Sequence, residues 1–351
     1  MNIAILIPSL RQGGAEKQAA LLASVLDKYH SVDLYLLYGY NAIAPHNKEV
    51  LDCSNVRLHL LNGNITSKIF KLTNEWKSKN IDIVFNYLSS CDVVGAMAAR
   101  MAGVKRVYSG IRNTRLEWHK MIADRFIHNY IATGTIYNCY SGAEYFRSKG
   151  FRKSKNIVIP NGFLDIAQPI VREDRPIKHI VTTGRFVPQK DYLTMIQTLS
   201  KLKGMRQDFV MDIIGYGVEE ANIRNWIKEY DVEDITNIYI KPDNVQDIVR
   251  SADIYLSTSL FEGTSNSIME ALNWSMPVVA TDVGDNAYMI TNGFNGMLHP
   301  IGDAEGMAHS IATLLDSAEL RNQYGMRSSQ HLQDNYSLEI FEKRYTDLVE
   351  L

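Results

Sequence analysis

Glu262 and Glu270 stand eight residues apart, and the run between them includes Gly263, Thr264, Ser265, Asn266 and Ser267. Two carboxylates invite comparison with the acid and nucleophile of a glycosidase, which sit about 5–5.5 Å apart for retention and about 6.5–9.5 Å for inversion. An unbroken helix would separate eight residues by about 12 Å, although part of this run reads as loop. Asn266 is the candidate N-cap, with a side-chain oxygen suited to accept an unpaired helix N–H. A helix starting beside Thr264 and Ser265 also turns backbone N–H groups and a positive dipole end towards an anion. The stretch reads as the floor of a site for a phosphorylated sugar compound.

Cations are spaced to match it. Gly184-Arg185 closes a strand-like run, and Lys190 precedes a helical pattern over 191–202. A cation at a helix N-terminus is unfavourable by roughly a few tenths of a kcal/mol or more. A bound anion reverses that, so Arg185 and Lys190 read as a diphosphate clamp. Two strand ends let backbone approach a ligand closely: Gly215-Tyr216-Gly217 and Thr281-Asp282-Val283-Gly284-Asp285-Asn286. His119, beside Trp118, is a proton carrier or a structural side chain.

Such residues need loops that converge at one edge of a scaffold. Residues 2–8 form a continuous apolar run, the pattern of a buried strand. A Gly-rich turn follows, and Ala19, Leu22, Ala23 and Leu26 recur at helical spacing over 15–26. The turn is not G-x-G-x-x-G and no acid ends the next strand, 32–38, which counts against a dinucleotide-dehydrogenase site. Its glycines either serve a ligand or make a tight turn, with Glu16 complementing the helix dipole. Further strands are read at 56–60, 81–85, 106–109, 130–132 and 156–159, separated by helical patterns such as 67–78 and 93–101. Pro160-Asn161-Gly162 is a turn signal, and the polar stretch 165–176, with Pro169 and Pro176, reads as a linker. A second alternation places strands at 179–183, 209–214, 235–240, 254–258 and 277–281. The fold class is α/β: two Rossmann-like domains, residues 1–164 and 177–337, facing a cleft, with ligands at the carboxyl ends of parallel strands.

A chain of 351 residues exceeds what one core usually supports, and 46% hydrophobic with 22% charged residues is the balance of a globular protein. A net charge of −2 gives no support for a nucleic-acid partner. Apolar runs such as 3–7 are far too short to span a bilayer, and no charged leader precedes the first strand. Cys53, Cys91 and Cys139 are isolated, which predicts neither a disulfide framework nor a zinc site, and the expected location is the cytoplasm. Lys68, Lys71, Lys77 and Lys79, with Arg152, Lys153 and Lys155, either make a peripheral contact with anionic lipid headgroups or form an ordinary solvated surface.

In combination these residues resemble the retaining, nucleotide-sugar-dependent glycosyltransferases of the GT-B fold, family 4 type, over nearly the whole chain. The most specific part is Glu262 with Glu270, which matches the family's E-x7-E motif, and Met276-Pro277-Val278-Val279-Ala280-Thr281-Asp282-Val283-Gly284 continues the likeness. Gly184-Arg185 with Lys190, Ile159-Pro160-Asn161-Gly162 and Gly13-Gly14-Ala15-Glu16 match as well. The resemblance implies that Glu270 binds the donor ribose and that Glu262 holds hydroxyls of the transferred sugar. It implies that Arg185 and Lys190 neutralise the leaving diphosphate, with Gly184 and Gly215 lining the donor. Backbone N–H groups of Thr264, Ser265 and Asn266 would touch phosphate or sugar, and Gly13 and Gly14 would let the first loop reach the diphosphate.

No cofactor and no metal are implied, in agreement with the lack of an Asp-x-Asp sequence. The implied partners are a nucleotide sugar and a glycan or lipid-linked acceptor, in assembly of a bacterial surface polysaccharide such as lipopolysaccharide or capsule. The location would be cytoplasmic, with a place at the inner face of the membrane. The last helix, 338–351, would pack back onto the first domain. Many members carry a His near the anomeric carbon; here that place reads Ser109-Gly110-Ile111-Arg112-Asn113, so Arg112, Asn113 and His119 are the acceptor-side candidates. The family's Gly-x-Gly-Pro is Gly215-Tyr216-Gly217-Val218, and its Phe-x-Gly turn is replaced by Ile240-Lys241-Pro242. The alternatives are a nucleotide-sugar epimerase of similar fold and a non-catalytic sugar-nucleotide-binding partner of a transferase. A glycosidase has no use for the Arg185 and Lys190 clamp.

Overall fold

The computed structural model describes residues 1–11, 13–39, 43–112 and 116–351. The chain divides into two compact units, Met1–Gly162 with Leu338–Leu351, and Phe163–Ser337.

Unit 1 alternates strands and helices: β1 (Asn2–Ile7), α1 (Gly14–Asp27), β2 (Ser31–Leu36), α2 (Pro45–Asp52), β3 (Arg57–Leu60), α3 (Ile65–Ser78) and β4 (Ile83–Asn86). The alternation continues through α4 (Ser89–Ala102), β5 (Arg106–Ile111), α5 (Trp118–Tyr130), β6 (Gly134–Tyr137), α6 (Tyr140–Ser148) and β7 (Asn156–Val158). The sheet order is β3-β2-β1-β4-β5-β6-β7. Its described pairs are parallel. With helices on both faces, Ile3 to Ile7 are all buried, which explains a strand without polar alternation.

Unit 2 repeats the scheme with β8 (Lys178–Arg185), α7 (Tyr192–Lys203), β9 (Phe209–Tyr216), α8 (Glu220–Glu229), β10 (Thr236–Ile240), α9 (Val245–Ser251) and β11 (Ile254–Ser257). There follow α10 (Asn266–Asn273), β12 (Val278–Thr281), α11 (Asn286–Met289), β13 (Gly296–His299), α12 (Ala304–Asp316) and α13 (Ala318–Tyr336). The order is β10-β9-β8-β11-β12-β13, so the winding reverses between β8 and β11. Apolar clusters cover both faces of this sheet, one around Ile196, Ile213 and Ile311, the other around Val181, Ile268 and Leu272. The last helix, α14 (Leu338–Glu350), belongs to unit 1 and buries Phe341, Tyr345 and Val349 there.

Several sequence expectations are corrected. No strand forms at 130–132: Ile131 and Ala132 both donate to the Ile127 carbonyl, closing α5, and the strand is β6 four residues on. The edge strand β13 was not anticipated. Residues 165–176, expected as a linker, are fastened to unit 2, where Ala167 N–H donates to Asn273 and Ile170 N–H to Ser275. Arg172 donates to the Ser275 and Trp274 carbonyls in the same unit.

Part of the expected basic surface, Lys68, Lys79 and Lys155, is consumed by internal contacts. Lys68 is buried, its ammonium donating to the Leu37 carbonyl at 2.6 Å. Lys79 pairs with the buried Asp33 at 2.9 Å, and Lys155 donates to the Ala132 carbonyl. Among the described residues no helix is long and apolar enough to cross a membrane.

Candidate functional site

In a doubly wound sheet the loops diverge where the winding reverses, leaving a crevice beyond the strand carboxyl ends. In unit 2 the two loops at that point follow β8 and β11, and they carry Lys190 and Glu262. The Lys190 ammonium donates to Glu262 Oε1 at 2.6 Å, with both side chains mostly covered. A charge-assisted bond of this length in a partly dry site fixes both groups.

Three connections hold the loops in register. The Thr258 hydroxyl donates to the Lys190 and Asp191 carbonyls at 3.0 and 2.9 Å. Leu260 N–H donates to the Gln189 carbonyl at 2.8 Å, and the Gln189 side-chain amide returns a bond to the Phe261 carbonyl at 2.7 Å. Asp191 takes a left-handed conformation (φ 47°) and caps α7, its carboxylate accepting from the Thr194 N–H and hydroxyl. Lys190 therefore ends a short 3-10 turn (Pro188–Lys190) pointing at Glu262, rather than entering the helix.

The loop after β12 supports Glu262 from its other side. Gly284 (φ +58°) approaches so closely that a Cβ would stand 2.2 Å from the Glu262 carbonyl oxygen. Asp285 N–H donates to the Gly263 carbonyl, and the Thr281 hydroxyl to the Ser259 carbonyl at 2.6 Å. Thr258 was missed as a site residue by sequence reasoning, and Thr281 and Gly284 were seen only as part of a strand end open to a ligand. The glycine ending Thr281-Asp282-Val283-Gly284 was visible there, but its neighbour turns out to be the Glu262 backbone.

Glu270 lies one turn along α10, whose buried positions Ile268, Met269, Ala271 and Leu272 face the core. That leaves Glu270 with Asn266 and Ser267 on the less buried side. The N-cap is Ser265, not Asn266, and it makes no side-chain cap bond; its hydroxyl pairs with that of Ser267 instead. The Ser265 side chain thus caps none of the first-turn N–H groups. The sequence misplaced the cap by one residue because Ser, Asn and Ser are all competent acceptors.

Arg185 ends β8 exposed, with no ion pair among the described residues. Gly184 packs beside the Lys190 stem, at 3.3 Å for a Cβ, and a Cβ on Gly215 would lie 1.9 Å from the Gly184 carbonyl oxygen. Gly215 therefore serves the close approach of β9 to β8 under the site, and Gly184 leaves room for the Lys190 stem. A buried Phe186 fills the same corner, its N–H donating to the Tyr216 carbonyl at 2.7 Å.

In unit 1 the winding reverses between β1 and β4. Gly13 is the N-cap of α1 without a side-chain bond, Gly14 is its first residue, and Glu16 folds back over Gly13. Leu88, just after β4, is held at φ 72°, a strained conformation for a leucine, with its N–H on the Gly110 carbonyl. Arg112 is only partly exposed and is tied to its own scaffold: it stacks 4.6 Å over the Tyr87 ring and donates to the Tyr345 hydroxyl at 3.0 Å. It also reaches Asn161 at 3.4 Å. His119 is exposed on α5 and pairs with Glu117 at 3.2 Å, so it and Arg112 share no partner among the described residues. Asn113 lies outside the described residues. Among the described residues no cluster of His, Cys, Asp or Glu is arranged to hold a metal ion.

Comparison with known proteins places this geometry in context. Residues 167–331 match the family model described as Glycosyl transferases group 1. The lipopolysaccharide core biosynthesis glycosyltransferase LpsE of Rhizobium meliloti is 26% identical over 176 residues, which is 50% of this chain and 50% of that protein. The match thus spans half the length of that relative. The UDP-Gal:alpha-D-GlcNAc-diphosphoundecaprenol alpha-1,3-galactosyltransferase of Escherichia coli is 21% identical over 266 residues, 70% of this chain and 69% of that one. Among solved structures, HepE of Anabaena in complex with UDP superposes with a TM-score of 0.82 at 17% identity, covering 100% of both chains. The two parallel-sheet units have the GT-B fold.

Proposed function

We propose that this chain is a retaining glycosyltransferase. It moves a sugar from a nucleoside-diphosphate donor to a hydroxyl of a glycan or lipid-linked glycan, in the assembly of a bacterial surface polysaccharide. The observation that carries the reading is the Lys190–Glu262 pair at the winding reversal of unit 2, beside the uncapped start of α10. One cation and one carboxylate in contact suit a donor whose leaving group is anionic and whose sugar presents hydroxyls. In transfer, the bond from the anomeric carbon to the phosphate oxygen breaks and its electron pair leaves with the diphosphate. The acceptor oxygen forms the new bond on the same face, and its proton passes to the departing diphosphate oxygen.

Lys190 and Arg185 hold the charge that develops on the leaving oxygen, the role a metal ion takes in other transferases, so we propose that no metal is needed. The N–H groups at the start of α10 add dipole stabilisation. Glu262 positions the sugar and Glu270 the ribose. Names of relatives that act on a UDP-sugar and a diphosphoundecaprenol-linked acceptor support the donor and acceptor classes.

The test is to incubate the chain with a panel of nucleotide sugars and glycan or lipid-linked acceptors, and to follow release of nucleoside diphosphate. Turnover with at least one pair, abolished in a Glu262→Ala variant that melts like the parent, is expected. Donor binding by calorimetry without release across the whole panel would instead identify a non-catalytic sugar-nucleotide binder. The locked conformation of Arg112 is the observation that favours this second reading.

A further inference from the structure

Helix α5 has two apolar sides, and only one of them is used by the fold. Ile127 is buried in the core of unit 1 with His128 and Asp124 covered beside it. On the outward side Trp118, Ile122, Phe126 and Tyr130 recur every four residues and are exposed by 76%, 52%, 56% and 63%. The Phe126 and Tyr130 rings touch, with centroids 5.3 Å apart. On α4, which packs against α5, Met97 and Met101 are also exposed. Single exposed apolar side chains are ordinary, but four in line on one helix form a continuous apolar crest.

The charges around the crest are predominantly positive. Lys120 and Arg125 stand on α5, and the segment beside it contributes Lys149, Arg152 and Lys153. Arg125 donates to the Lys149 carbonyl and Arg152 lies 5.2 Å over the Tyr130 ring, which fixes these cations at the edge of the crest. The exposed acids here are Glu117, paired with Lys120 and His119, and Glu144 on α6, paired with Arg147. This is a basic patch on a chain whose net charge is −2.

We propose that the α5 crest docks unit 1 onto an anionic lipid bilayer, with the helix lying in the plane of the interface. A helix with aromatic and aliphatic side chains on one side and cations flanking them is the arrangement that such an interface binds. Trp and Tyr rings prefer the headgroup level, and the long stems of Lys and Arg let their charges reach phosphates above the buried rings. Docking of a second copy by a two-fold contact would set this basic patch against itself. A crest is convex and offers no groove to a peptide. The proposal goes beyond the transferase reading and stands whether or not the chain transfers a sugar.

The experiment is co-sedimentation of the full chain with vesicles of phosphatidylcholine alone and of phosphatidylcholine mixed equally with phosphatidylglycerol. Binding to the mixed vesicles, weakened by added salt and much weaker to phosphatidylcholine alone, is expected. A Trp118→Ser, Phe126→Ser double variant should bind at least about tenfold more weakly, with an unchanged melting temperature because neither side chain is buried. The proposal is overturned by equal binding to both vesicles, by no binding to either, or by a double variant that binds like the parent. It is equally overturned if the parent is a dimer in solution that the double variant dissociates.

Discussion

Substituting Gly284 by alanine probes how closely the position of Glu262 is controlled. The added methyl carbon would stand 2.2 Å from the Glu262 carbonyl oxygen, where the ordinary closest approach of carbon to oxygen is about 3.3 Å. Roughly 1 Å of movement is therefore required. The β12 side resists it, because Thr281 is buried in the sheet and bonded to Ser259, and Asn286 is buried with its amide on the Thr281 carbonyl. The displacement falls on residues 261–263, which are exposed or partly so. Misplacing a reacting group by about 1 Å lowers turnover on the order of a hundredfold. The left-handed backbone adds a stability cost of about 1–2 kcal/mol, or several degrees of melting temperature for a unit of this size.

Gly293 separates these two effects. It is also left-handed (φ +74°) and lies in unit 2, but a Cβ there meets nothing within 4 Å. Gly293→Ala should therefore destabilise by a similar amount and keep its turnover. The assay is nucleoside diphosphate release with the best donor, alongside thermal melting of both variants. If Gly284→Ala, while folded, turns over within about threefold of the parent, or if Gly293→Ala loses as much as it does, then the contact with Glu262 does not control catalysis.

Two further predictions follow from charges already described. Glu262→Gln frees the Lys190 ammonium from its 2.6 Å partner and removes a negative charge beside the diphosphate site. It should bind nucleoside diphosphate about three- to tenfold more tightly by calorimetry while losing turnover, and weaker binding would refute the assignment of Lys190. In unit 1, burial pushes the Asp124 carboxyl up to about 6 despite its bond from Ser89, and burial together with the Asp124 charge pushes Asp92 up as well. A folded value above the unfolded one means stability that is present below about pH 4 and lost as pH rises through about 6. Asp124→Asn should remove on the order of 3 kcal/mol of that dependence, seen as a flatter melting temperature from pH 4 to pH 7 than in the parent. Parallel profiles for the two proteins would refute it.

The fold class was legible because its signals are redundant. Thirteen short apolar segments need not each be read correctly for strand-helix alternation to emerge, and a missed β13 or a strand misplaced at 130–132 leaves the class unchanged. The site was legible by residue type but not by partner. Lys190 and Glu262 are separated by 72 residues, so their bond exists only because β8 and β11 are neighbours in the sheet. Pattern along the chain cannot report such a pairing. Lys68 failed for a related reason: its spacing matches a solvated helix face, yet the carbonyl at the end of β2 offers a buried partner. The Asn266 cap failed on a finer scale, where adjacent residues with equivalent acceptors leave the helix start undetermined.

The reciprocal bonds between the Gln18 side-chain amide and the Gly162 backbone, both 2.9 Å, have a consequence for biosynthesis. Gly162 is the last residue of unit 1 before the chain departs, and a Cβ there would collide with Phe341 of α14. The chain returns at residue 338 alongside its point of exit, with Phe163 N–H on the Tyr336 carbonyl. Unit 1 is begun first on the ribosome but cannot close its core until α14 emerges, after all of unit 2. Until then the places of Phe341, Tyr345 and Val349 stand open, and the nascent first unit has an unfilled apolar seam. The second unit, whose residues are contiguous, is free to fold ahead of it.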